Sequence, residues 1–586
     1  MHSSHLRRLA IALAVTTAAT IGAEAAATAF PSSAAPLGAR TASVSSETDR
    51  KATVEAARAA AYAHSSATGV GKHDTLETAD VVVGRNGVQH VRFLLHHYGK
   101  EVLGGDLIIH LDAHSAYQDV TRGLSRQVEI PATAARLSAE QARAKAAALA
   151  QGDAGAAQLV VDARSERQAL AYRVSVTGSR TAENRGGRTV VVDATTGTVL
   201  SNEEDSEAFV HRALRTPLRE RNGKVGAAGQ STAGEVGQGR SLYSGTVPLT
   251  TTRTGSGFTL KDPSHGNTEV RDANGQTPNR FTGTKFTSTD NKWGNGRTGD
   301  RATAAVDALF GVTSTLDFYQ KTFGRDGLKN DGVGVRALVH YGDHQEGAFW
   351  DSTCGCMVFG DGGGKDFPTP LVALDVTAHE LTHGVVAQTA RLRARVDSEG
   401  SQYGEPGALN ESLADIFAVG AEFATDNPHN PPNYLIGERL GMNKQKFLRS
   451  LADPALDKLE GGVGEWDPKQ YDCEVHAGSG ISSHAFYLLA EGSKPKTING
   501  IHYNSRTRGG MKVEGIGRDK ALQIFYDALT GHMVHNTDFH GARQATLQAA
   551  TERYGQGSAE YEAVDRAWAA VNVTEANTPQ RGGIGH

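Results

Sequence analysis

The segment His379-Glu380-Leu381-Thr382-His383 constrains this chain more than any other five residues. Two histidines four positions apart lie side by side on one face where the backbone is helical, about one turn from each other. Both rings can then reach one metal ion, while Glu380 lies beside them, able to handle the proton of a water molecule. Neutral imidazole suits zinc, and two such ligands leave room for a third protein ligand and a water. The fold must therefore place a helix here and carry another ligand to it from a second element. With 23 His in 586 residues, a chance match has odds of about one in twenty, so the surrounding pattern decides.

The best third ligand is Glu411 in Gly407-Ala408-Leu409-Asn410-Glu411-Ser412-Leu413-Ala414-Asp415. This segment reads as a second helix, on which Glu411 and Asp415 share a face. Glu411 can hold the metal while Asp415 accepts the N–H of a ligand histidine, fixing its tautomer. The extended pattern H-E-x-x-H-x-x-G-x-x-H is excluded, because Val386 and Thr389 stand at its additional positions.

At 586 residues the chain exceeds a single core. With 60 basic and 65 acidic side chains its formal charge is -5, which argues against a nucleic-acid or anionic-membrane partner. Residues 1–29 read as a cleaved export signal: Arg7 and Arg8 precede the apolar run Leu9 to Ile21, followed by small residues. No later run reaches the ~18 apolar residues of a spanning helix, so the product is expected to be secreted and extracellular. Three cysteines exclude a disulfide framework. A bridge from Cys473 to Cys354 or Cys356 is favoured over the strained adjacent pair.

After the signal, residues 30–64 are Ala/Ser/Thr-rich and expected to be disordered. A small α+β region follows at 65–205, with strands near 90–95, 106–111, 172–176 and 189–193. Ser138 to Gln141 forms a capping box that opens an Ala-rich helix. Residues 206–240, with Arg212, Arg215, Arg219 and Arg221, suggest a linker carrying a maturation site. Short β patterns dominate to about residue 375 and helices thereafter. This gives a β-rich lobe with the metal helix at 241–392, a helical lobe at 393–573 and a loose tail at 574–586.

These motifs together resemble the thermolysin family of secreted neutral metallopeptidases. Asp375 to Gly384 is similar to its zinc helix and Gly407 to Phe417 to its glutamate-ligand helix. Gly347-Ala348-Phe349-Trp350 resembles its substrate-pairing edge strand, Arg449 to Pro454 its substrate-arginine segment, and Val475 to Gly480 its catalytic-histidine segment. Residues 90–112 resemble the fungalysin/thermolysin propeptide and 137–201 a PepSY domain, which implies two propeptide modules, at 65–125 and 126–205. The resemblance implies an α+β, two-lobed catalytic unit behind an α+β propeptide. It implies a monomeric zinc endopeptidase acting on proteins or peptides, made as a zymogen whose own propeptide inhibits it and aids its folding.

The implied roles follow residue by residue. His379, His383 and Glu411 hold one Zn2+; Glu380 is the general base; His476, with Tyr403 as partner, stabilises the oxyanion. Asp415 and Asp472 orient ligand and catalytic histidines. Ala348 and Arg449 bind substrate backbone, and Phe367, Val376 and Leu448 line the pocket for the residue after the cleaved bond (P1'), giving a bulky apolar preference. Asp375, Glu422 and Glu438 match ligands of a structural Ca2+, with Asn433 standing where an aspartate is usual. Gly347 and Gly478 replace asparagines. The connection from His383 to Glu411 is longer than usual and contains Arg391, Arg393 and Arg395. The alternative is a catalytically weak protein of the same fold that binds peptide or matrix, which would have no need of Glu380.

Overall fold

The computed structural model describes residues 47–131, 135–178, 187–210, 234–278, 280–397, 401–470 and 472–579. The export signal, the four linker arginines and the end of the tail lie outside these residues. The α+β expectation holds throughout them.

The two expected propeptide modules share one eight-stranded sheet. Its order is Asp74–Val83, Gln89–His97, Lys100–Leu111, Asp153–Asp162, Ala169–Thr177, Arg188–Asp193 and Val199–Glu204, with Tyr117–Arg122 also paired to Lys100–Leu111. The long strand Lys100–Leu111 makes the junction. Its start pairs in parallel with Val161 and Asp162, and its end antiparallel with Tyr117–Arg122. Each module keeps its own apolar core, one built on Val91, Phe93 and Ile109, the other on Ala142, Ala146, Val174 and Val192. The helix Ala139–Ala150 starts at the anticipated box: Ser138 Oγ accepts from Gln141 N, and Gln141 Oε1 accepts from Ser138 N.

Disorder was expected through residue 64, but Glu47–Ala63 is a helix. Its Ala/Thr composition hides the reason. Thr53, Ala57 and Ala61, spaced by four, are buried against the first module, and alanine costs no side-chain entropy on entering a helix.

In the catalytic part a 23-residue helix, Arg301–Phe323, interrupts the stretch read as short strands. Its signals were present: Asp300 caps the start through Ala302 N, and Gly324 closes the end with φ 74°. It crosses the metal helix Leu374–Gln388 at Gly311, where a Cβ would lie 2.0 Å from Thr377 Oγ1. Only glycine permits that approach. Among the described residues, five α-helices form the other lobe: Glu405–Thr425, Val475–Glu491, Arg518–Gly531, Phe539–Tyr554 and Ala559–Ala570. One apolar cluster runs through both lobes. No helix among the described residues is long and apolar enough to cross a membrane.

The edge of the β-rich lobe positions the site. Strand Ala348–Asp351 pairs on one side with Cys356–Phe359 and on the other with Ser206–Ala208, which follows the last strand of the propeptide sheet. The cysteine expectation is overturned here. Cys354 and Cys356 are bonded to each other, and Cys473 is a buried free thiol. Gly355 turns the hairpin tip with φ 56°, bringing the flanking Cα atoms to 5.2 Å, inside the ordinary span. Cys473 instead fills the space over Gly478, where a Cβ would sit 2.3 Å from its sulfur. That explains why glycine stands beside His476. Peptide mapping without reductant should find one free thiol, on Cys473; a linked Cys473 peptide would contradict this pairing.

Candidate metal centre and active site

The helix Leu374–Gln388 is buried along nearly its whole length, His379, Glu380 and His383 included. The helix Glu405–Thr425 packs across it and supplies Glu411 and Asp415. His379 Nε2 and His383 Nε2 lie 3.0 Å apart. Glu411 Oε2 is 3.2 Å from the first and Oε1 is 3.6 Å from the second. Three ligand atoms thus converge from two helices, as expected.

The outer nitrogens set the tautomers. His379 Nδ1 donates to Asp415 Oδ1 at 2.9 Å, and His383 Nδ1 to Asn410 Oδ1 at 3.1 Å. Both Nε2 atoms are thereby left to face Glu411. Asn410 is a partner the sequence reading missed, although it adjoins Glu411.

Electrostatics show what the centre is built to hold. Burial pushes Glu411 up, but His476, His383 and His379 outweigh it and hold its carboxyl well below the usual range. Burial works against charge on His379, yet Asp415 and Glu411 raise it to about 9. Burial carries His383 down to about 4. Neither Glu411 oxygen has a hydrogen bond of standard geometry. A buried carboxylate with two imidazole nitrogens, all aimed at one point and requiring positive charge there, is a donor set that fits zinc.

Around this centre lies the segment 205–210. Phe209 N–H donates to Ala348 O at 3.0 Å. His476 Nε2 donates to Ala208 O at 2.6 Å. Arg449 Nη1 donates to Phe209 O at 2.9 Å. The Phe209 ring is fully buried, edge-on to His379 at 5.2 Å, with the Arg449 guanidinium 5.1 Å from its centre. It belongs to the apolar cluster that includes Phe367, Val376 and Leu448. Arg449 is itself held by Asp415 at 2.8 and 2.9 Å and by Glu460 at 2.9 Å. One carboxylate, Asp415, therefore steadies both His379 and the arginine. Glu460 was not foreseen.

The residue that orients His476 is corrected. Asp472 is exposed and paired with Arg395. Glu474 Oε1 accepts from His476 Nδ1 at 2.7 Å, and its carboxylate caps the helix through His476 N and Ala477 N. A carboxylate at a helix start satisfies backbone donors that have no partner within the helix; here it also fixes the ring. With both ring nitrogens donating, His476 is an imidazolium. Burial disfavours that charge, but Glu474 and Glu411 raise the group to about 10. Tyr403 sits half-buried in a short strand bridged to Glu474, with no hydrogen bond from its hydroxyl among the described residues.

Family models match in order along the chain. The fungalysin/thermolysin propeptide motif covers 74–124, and the peptidase propeptide and YPEB domain covers 136–203. The thermolysin metallopeptidase catalytic domain covers 236–387, and its alpha-helical domain 401–573. A bacillolysin from Bacillus cereus is 32% identical over 452 residues, spanning 73% of each chain. The chain belongs to the thermolysin metallopeptidase family. A transglutaminase-activating metalloprotease from Streptomyces mobaraensis is 37% identical over 86% of this chain, which spans 62% of that protein. A solved precursor of protealysin from Serratia proteamaculans aligns with a TM-score of 0.39 and 28% identity, over 52% of this chain and 87% of its own.

Two features go beyond the family's zinc helices. In the longer connection, Arg393 reaches back to the propeptide, Nη1 lying 3.0 Å from Glu203. Exposed as it is, that pair is worth at most about 1 kcal/mol. The carboxylates of Asp375, Glu422 and Glu438 are buried near one another, and after burial their mutual repulsion is the chief force raising Glu422 and Glu438. Asn430 donates to Glu422 and Asn433 to Glu438, leaving one oxygen of each glutamate without a hydrogen bond. Unlike His379, His383 and Glu411, the three do not all bring an oxygen within 4.8 Å of one another.

Proposed function

We propose that this chain is the precursor of a secreted zinc endopeptidase that acts on its own Ala208–Phe209 bond. The observation that carries this reading is the course of residues 205–210 through the site. They extend the edge strand, present the Ala208 carbonyl to His476, and bury an aromatic side chain immediately after it. That is how a substrate would lie.

His379, His383 and Glu411 would hold the zinc, which supplies Lewis acidity toward a peptide carbonyl and acidifies water. The remaining roles belong to the chain. Glu380 takes the proton of the attacking water and passes it to the leaving amine. His476, fixed as a double donor by Glu474, stabilises charge developing on the carbonyl oxygen, with Tyr403 as second donor. Ala348 O and Arg449 hold the backbone on either side of P1', setting the attack geometry. The same contacts make the uncut segment an intramolecular inhibitor, since no other peptide can enter while it remains.

Phe367, Val376 and Leu448 line the P1' pocket in this reading, so the mature enzyme should prefer Phe or Leu after the cleaved bond. A peptide library should show at least about a tenfold preference over Asp or Glu, because burying one large apolar side chain is worth about 1.5–3 kcal/mol. A profile favouring charged P1' residues would refute the pocket.

Asp375, Glu422 and Glu438 would hold a calcium ion, a hard cation suited to carboxylate oxygens. Calcium at a hundred times its dissociation constant should stabilise the fold by about 2.7 kcal/mol, raising Tm by about 2–4 °C for a unit of several hundred residues. Calorimetry with and without calcium, at constant zinc, measures this. An unchanged Tm removes calcium from the reading.

A further inference from the structure

We propose that His90, His110 and His532 form a second divalent-cation site, of zinc-like preference, that ties the propeptide to the helical lobe. His90 and His110 stand directly opposite each other on neighbouring propeptide strands. His532 follows the helix Arg518–Gly531 of the helical lobe. All three are at least nine-tenths buried. Their ring centres form a near-equilateral triangle, with sides of 4.8, 5.0 and 5.1 Å. The rings of His379 and His383 are 4.6 Å apart.

The nitrogens repeat the pattern of the catalytic centre. His90 Nδ1 and His110 Nδ1 face each other at 2.8 Å, as the inner nitrogens of His379 and His383 do at 3.0 Å. Among the described residues, these are the two groups in which three such ligand atoms lie within 4.8 Å of one another. The outer nitrogens are occupied: His90 Nε2 is 3.2 Å from Glu552 Oε2, and His110 Nε2 is 2.9 Å from Thr121 Oγ1. Partners of this kind usually orient metal-binding histidines.

A hydrogen bond between His90 and His110 would account for that pair alone. It leaves His532, whose two ring nitrogens are buried without a hydrogen bond of standard geometry, Nε2 lying 3.3 Å from Glu552 Oε1. An imidazole in that position is costly unless something accepts its lone pair, and a cation between the three rings does so. Arg92 brings a like charge nearby, its guanidinium donating to Thr530 O and Met533 O. Glu552, between His90 and His532, offsets it. Two ligands belong to the propeptide and one to the catalytic part, so departure of the propeptide dismantles the site.

The test is zinc content of the full chain after dialysis against zinc, by elemental analysis, in a Glu380→Gln background that keeps the precursor whole. Two ions per chain are expected. The pair His90→Gln with His110→Gln, and separately His532→Gln, should each reduce the count to one. His383→Gln should also leave one, held by the triad, so failure at one centre is not confused with failure at the other. A single ion lost with His383→Gln overturns the proposal, as do two ions that survive both triad substitutions. Should the triad variants not fold by circular dichroism, anomalous diffraction at the zinc edge decides on the parent chain. A peak among the three rings supports the site, and none there overturns it.

Discussion

Glu380→Gln should leave zinc bound and lower kcat/KM on a peptide substrate by about a thousand-fold, within the usual range for a lost general base. Glutamine keeps the shape and polarity of the side chain at this fully buried position but cannot take a proton. In the proposed reading the metal is held by His379, His383 and Glu411, whose tautomers and charge are set by Asp415, Asn410 and His476 and not by Glu380. Zinc content and kcat/KM, measured on the same preparation, separate the two roles. Activity within tenfold of the parent, at full zinc, would sink the mechanism. A parent protein with negligible activity at full zinc would instead favour the weakly catalytic, peptide-binding alternative.

The second large effect concerns self-processing. The parent precursor should cut itself first between Ala208 and Phe209, giving a product whose N-terminal sequence begins Phe-Val-His-Arg. Phe209→Ala should slow this cut by about 10- to 100-fold. A fully buried phenylalanine side chain contributes about 1.5–3 kcal/mol, and about 1.4 kcal/mol is a factor of ten in rate. Phe209→Leu should recover most of the rate, and Glu380→Gln should leave the bond intact. A time course followed by N-terminal sequencing distinguishes these outcomes. A first cut among the linker arginines, at a rate indifferent to Phe209→Ala, would show that the segment is an inhibitor only. Later trimming within 206–240 is compatible with the first cut made here.

Much of the site was legible because helices impose local periodicity. The spacing of His379 and His383, and of Glu411 and Asp415, decides which side chains share a face before any tertiary contact forms. The capping box at Ser138 was local in the same sense. Where the reading failed, the deciding contact was distant or the composition was mute. Residues 47–63 look like a disordered Ala/Thr stretch until Ala57 and Ala61 find a sheet to bury against. The helix Arg301–Phe323 carried its caps in sequence, but the surrounding turns masked them. Asp472 was read as the orienting acid for its nearness to His476 in sequence, one residue short of the family spacing, whereas the helix start gives the role to Glu474, whose carboxylate meets both the backbone donors and the ring.

The cysteines show the same division. Strain argued against Cys354 bonding Cys356, yet a left-handed glycine between them relieves it, and the third sulfur is needed over Gly478. Residue types at helical spacing were enough, from sequence alone, to bring out the paired histidines and a candidate third ligand, while the family came from a resemblance of ordered motifs along the chain. Tertiary structure alone decided that Ala208 and Phe209 lie in the cleft, and that histidines from two propeptide strands meet a third from the catalytic part. Those contacts join residues separated by hundreds of positions. Only closure of the whole fold brings such residues together, because no local periodicity encodes so long a loop.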